Sequence, residues 1–117
     1  MPNCADSFDE LLFFAKIKKR PGMFLGEKSL LCLRNQLFGM EYAFSVCGRP
    51  DALKLFDDFV ESYHQQLFLT DENGYVCWWN HLLYTSGNHA DGALDLFFDK
   101  FEAHLLSRHQ LKLPEVD

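Results

Sequence analysis

The sequence predicts an all-α fold, a compact bundle of four or five helices forming one domain over residues 1–117. Three observations predict it. Apolar residues recur at the 3.6-residue period in successive segments, residues that start or stop helices bound those segments, and only residues 67–79 carry the signal of a short hairpin. With 117 residues, 48% of them hydrophobic, the chain can fill one core but is too short for two.

The first helix is expected over about 7–19. Ser7 and Glu10 read as an S-x-x-E capping box, and Phe8, Leu11, Leu12 and Ala15 supply one buried stripe. Pro21 and Gly22 end it, so Arg20-Pro21-Gly22-Met23-Phe24-Leu25-Gly26 reads as an ordered loop that plugs Met23, Phe24 and Leu25 into the core. From Ser29, the series Leu30, Leu33, Leu37, Met40 and Phe44 makes a central helix, which Cys47-Gly48-Arg49-Pro50 stops. Leu53, Phe56, Val60 and Tyr63 place a third helix over about 50–65.

Two patterns then compete. Asn73-Gly74 between apolar runs signals a hairpin, whereas Tyr75, Trp78, Trp79, Leu82 and Leu83 match the helical period, and the helix is favoured for the second run. The last helix is expected from Asn88, capped by that residue with Asp91 three positions on, to about Ser107, burying Ala90, Leu94, Phe97, Phe101 and Leu105. The tail beyond His109 is expected to fray.

Charge and composition narrow the function. The net charge is −6, and it is uneven: residues 1–50 carry +2 and residues 51–117 carry −8. An acidic surface repels phosphate backbones, and Lys16, Lys18, Lys19 and Arg20 are too few to offset it, so no nucleic-acid partner is expected. No apolar run reaches the roughly 20 residues of a membrane span, and the start lacks a secretory signal, so the expected setting is the cytoplasm and no membrane. Cys4, Cys32, Cys47 and Cys77 are widely spaced and read as reduced thiols.

No catalytic, cofactor or metal residue is expected. Cys77 and His81, at i and i+4, could supply half of a zinc site, but no spacing brings His64, His89, His104 or His109 to complete it. No nucleophile elbow is present, and Asp57 with Asp58, like Asp91, Asp95, Asp99 and Glu102, reads as solvated helix surface rather than acid–base machinery. Those last four carboxylates nonetheless fall within about 80° on one flank of the final helix and form a candidate protein-binding stripe. An alternative candidate is an anion and aromatic pocket near residues 20–26, built from Arg20, Trp78 and Trp79.

Lys18-Lys19-Arg20-Pro21-Gly22-Met23-Phe24-Leu25-Gly26 is similar to a stretch near the N-terminus of type II topoisomerase ATPase domains. The helix that follows, Leu30 to Gly39, lacks their catalytic Glu and metal-binding Asn, so no ATP site is expected. A second resemblance covers most of the chain. The acidic aromatic first helix, the K-x-R-P-G-M-[FY]-L-G loop, Phe38-Gly39-Met40-Glu41-Tyr42, the Trp-containing segment and Ala93 to Phe101 together resemble a group of small uncharacterised bacterial proteins. Some of that group resemble immunity proteins of secreted toxin systems. The resemblance implies a non-catalytic module that binds another protein, with a toxin as the leading instance, and leaves a homodimer open. Surface acids would speed its association with a basic effector. A small enzyme or ligand-binding module using the Arg20 pocket is the alternative reading.

Overall fold

The structure is a computed structural model and describes residues 8–66 and 77–116. Among the described residues six α-helices follow one another: α1 (Glu10–Lys19), α2 (Pro21–Leu25), α3 (Leu30–Val46), α4 (Lys54–Gln66), α5 (Trp78–Thr85) and α6 (Ala90–His104). A π-helical turn, Leu105–His109, extends α6. The described residues contain no strand, and the fold is the expected all-α bundle with one added short helix. Ser7, Tyr75 and the hairpin signal at 67–76 lie outside the described residues.

The sixth helix is the organising element, because it packs against α3, α4 and α5. Leu94, Phe97, Phe101 and Leu105 point inward as their spacing requires, joined by Ala93 and Phe98, while Ala90 is only partly buried. The Phe97 ring lies within 6.2 Å, centroid to centroid, of Phe14, Phe56, Phe59, Trp78, Phe98 and Phe101. One aromatic hub therefore ties α1, α4 and α5 to α6 in tilted and edge-on contacts of the kind aromatic quadrupoles favour. Leu30, Leu33 and Leu37 bring α3 onto the same core.

Local signals placed most helix ends, with instructive exceptions. Ser29 caps α3 by accepting the Leu31 and Cys32 N–H groups. Asp9 caps α1 through the Leu12 N–H. Glu10 does not complete a local capping box: it is buried and reaches α4, as described below. Asn88 is not the cap of α6 either. Its φ of 65° follows Gly87 at 75°, so the chain turns through two left-handed residues, and His89 becomes the cap.

The expected loop at 20–26 is helical in its centre. Pro21 stands at the first helical position, where its missing N–H and fixed φ suit a helix start, and Gly26 ends the turn at φ 89°. The plug expected there is overturned. Met23 is 68% exposed and Phe24 42%, and only Leu25 packs against the core. A single helical turn has one inward edge, and Leu25 occupies it. The tail differs too, since Leu111 and Leu113 pack against the core while residues 110–116 carry no regular structure. Alternation in an extended chain puts those two leucines on one side.

Candidate functional site

Three carboxylates converge on α4, each in a different setting. At its N-terminus, Glu10 Oε1 accepts the Leu55 N–H at 3.1 Å and Oε2 accepts the Phe56 N–H at 2.8 Å. A side chain from α1 thus satisfies amides that the first turn of α4 leaves free. Burial raises the Glu10 pKa, and the two amide bonds oppose that rise without cancelling it.

Asp57 and Asp58 follow, about 100° apart around the helix. Asp57 faces Glu41 of α3. Burial raises the Glu41 pKa to about 7, and a hydrogen bond to Asp57 together with the repulsion of its charge adds to the rise. The two carboxyl groups border a cleft of about 470 Å³ between α3 and α4, with Phe38, Phe56, Val60 and Trp78 among its walls. Glu61 adds a third acid, and no lysine or arginine lines the cleft among the described residues. His64 lies at its edge with a buried Nε2 that has no hydrogen-bond partner among the described residues.

Running on from the Phe38 wall of that cleft, α3 presents a second apolar face. Phe38, Tyr42 and Val46 are 54%, 74% and 70% exposed, and spacings of four align them along the helix. This stripe is legible in the sequence as Phe38, one residue past Leu37, continued every fourth position by Tyr42 and Val46, but the inward series alone is enough to predict the helix.

Asp58 faces the other way. His104 Nε2 and His109 Nε2 both donate to its Oδ2, each at 3.0 Å. The two imidazoles hold the Asp58 carboxyl below its usual range, His109 contributing most, and burial lowers the His104 pKa. These acids are therefore not the uniformly solvated surface expected from sequence. Beside the cluster is a cleft of about 360 Å³ whose lining includes Ser62, Tyr63, Lys100, His104 and Arg108.

The structure keeps the sequence-predicted stripe on one flank of α6 and also engages it. Glu102 pairs with Lys18 at 2.6 Å and Asp95 with Lys28 at 2.9 Å, while Asp91 accepts the Gly92 N–H. Asp99 is exposed and lines a cleft with Asp95, Lys18, Lys19 and Lys28. The alternative pocket is not brought together. Arg20 lines a cleft with Lys16, Met23, Phe24, Glu115 and Val116, whereas Trp78 is buried in the core and lines the α3–α4 cleft. Trp79 lies under the Arg34 guanidinium at 4.4 Å. Of the half-site weighed for zinc, His81 Nδ1 is paired with the Tyr63 hydroxyl at 2.6 Å. The chain matches no family model, no curated protein and no solved structure.

Proposed function

We propose that this chain is a non-catalytic protein-binding module that recognises a basic protein partner, neutralisation of a toxin in the cytoplasm being the instance its sequence resemblance implies. The observation that carries the reading is the exposed Phe38–Tyr42–Val46 stripe beside an acid-rimmed apolar cleft. Aromatic anchors next to a desolvating groove are where binding energy concentrates, and a surrounding rim of one charge selects a partner of the other. The acids of α6 serve this reading less directly, since Lys18 and Lys28 already engage two of the four. Asp91 and Asp99 remain a long-range attraction for a basic partner.

The test is a calorimetric and stopped-flow titration against the product of the adjacent gene. The wild-type protein is expected to bind, and Tyr42→Ala to weaken binding by about 30-fold, as loss of a central aromatic anchor does. The double change Asp95→Asn with Asp99→Asn should slow association several-fold and flatten its salt dependence while leaving dissociation nearly unchanged. If Tyr42→Ala binds as tightly as wild type, the α3 face is not the recognition surface.

A further inference from the structure

We infer that Asp58, His104 and His109 form a three-ligand site for a divalent transition-metal ion of the kind zinc represents. The cluster joins two elements that meet only in the tertiary fold, α4 and the end of α6 with its π-helical turn. Asp58 Oδ2 and the two Nε2 atoms lie within 4.8 Å of one another, and both carboxylate-to-imidazole distances are 3.0 Å. A tetrahedral ion about 2.0–2.1 Å from its ligands sets them roughly 3.3–3.4 Å apart, so the two carboxylate contacts lengthen by a few tenths of an ångström and the two imidazole nitrogens, within 4.8 Å, draw together by at most about 1.5 Å.

The donor set also has the right chemistry. Two imidazoles and one carboxylate suit a borderline divalent ion, and three protein ligands leave a position for water or a further ligand. His104 is held before any ion arrives: its ring meets the edge of Phe59 at 5.6 Å and the His109 ring at 5.5 Å. On binding, each Nε2 offers its lone pair to the ion and its proton moves to Nδ1, so both imidazoles stay neutral, the carboxylate offsets one of the ion's two charges and the site carries a net +1. The nearby Arg108 guanidinium is engaged by Ser62 Oγ at 3.5 Å. His104 lies in the wall of the cleft that Lys100 and Arg108 also line, so the ion would border it.

A purely mechanical role, in which Asp58 pins the C-terminal turn to α4, is the competing reading. Titration of the purified full chain with Zn²⁺ against a chromophoric chelator, and with Co²⁺ followed optically, separates the two. We expect one ion per chain, tetrahedral Co²⁺ bands without a thiolate charge-transfer band, and a rise in Tm with Zn²⁺. Both His109→Ala and Asp58→Asn should lose at least about 100-fold in affinity, because losing a ligand costs no less than losing its outer-shell support. His89→Ala, at the far end of α6, should keep wild-type affinity. Circular dichroism confirms folding of each variant, and both substituted side chains are partly exposed. Absence of binding by the wild-type chain, or binding that survives both ligand variants, overturns the inference.

Discussion

Asp57 and Asp58 are neighbours on one helix, yet their environments act on the protein in opposite ways. Asp57 turns toward Glu41 in a partly desolvated cleft, and burial, reinforced by the hydrogen bond to Asp57 and its like charge, holds a proton on Glu41 up to about pH 7. Asp58 turns toward two imidazoles, and the contact keeps the carboxylate ionised to lower pH than usual. The difference lies in what the adjoining helices present, α3 on one flank and the end of α6 on the other. A carboxylate's contribution is thus set by the element it faces. The Asp57 side holds an acid pair that a basic partner can relieve, whereas the Asp58 side is closed by hydrogen bonds and built for a cation that can replace them.

The buried Glu10 gives this comparison its scale, since its partners are two backbone amides and carry no net charge. Glu10→Ala leaves the Leu55 and Phe56 N–H groups without an acceptor and should cost about 2 kcal/mol in urea unfolding. Glu10→Gln, with one carbonyl oxygen to offer, should lose less than that. If Glu10→Ala unfolds at the wild-type midpoint, the first turn of α4 caps itself and the scale is lost.

Asp58→Ala comes next in size. It removes the acceptor of two hydrogen bonds, one of them from a buried imidazole, but the carboxylate is 40% exposed, so the loss at pH 7.5 should be about 1–2 kcal/mol. Asp57→Ala, one residue away, should be neutral or stabilising, because it relieves Glu41. Equal losses from the two alanine variants would erase the distinction drawn between the flanks.

How much of this could be read along the chain differs between the same regions. Helical stripes were legible wherever burial follows a 3.6-residue period, as in Leu30–Leu33–Leu37 and Leu94–Phe97–Phe101. The α2 turn was misread because Pro21 ends α1 and also begins the next helix, and Met23-Phe24-Leu25 is apolar without being inward. Glu10 looked like a local cap because a capping box is a statement about spacing, while its true partners are 45 and 46 residues away. The histidine cluster was hidden by the π-helical turn. Five residues apart on an α-helix, His104 and His109 would diverge by about 140°, whereas a turn closed by i→i+5 hydrogen bonds brings them nearly into register. Nothing in a dipeptide Asp57-Asp58 says which acid will meet another acid and which will meet histidine.

The smallest expected effect is the most diagnostic, because its sign changes between the flanks. The Glu41 pKa rises from 4.5 to about 7 on folding, so its protonated form is favoured in the native state. Its stabilising contribution is complete below about pH 4.5 and is lost as pH rises through about 7. On the opposite flank, the His104 pKa falls below 6.5 on folding, so the unfolded chain binds the proton first and stability drops as pH falls from 6.5 toward the native value. The lowered Asp58 pKa acts in the same direction further down, its contribution present above pH 3.8 and lost as pH falls through the folded value. Glu41→Gln keeps a neutral hydrogen-bonding group at every pH. It should therefore match wild type near pH 4 and exceed it at pH 8, by no more than about 1 kcal/mol once solvent screening of this half-exposed site is allowed for. Urea midpoints measured across that range decide the matter: a Glu41→Gln curve parallel to wild type at all pH values would mean that the two acids do not share a proton, and that the α3–α4 cleft carries its full negative charge before any partner arrives.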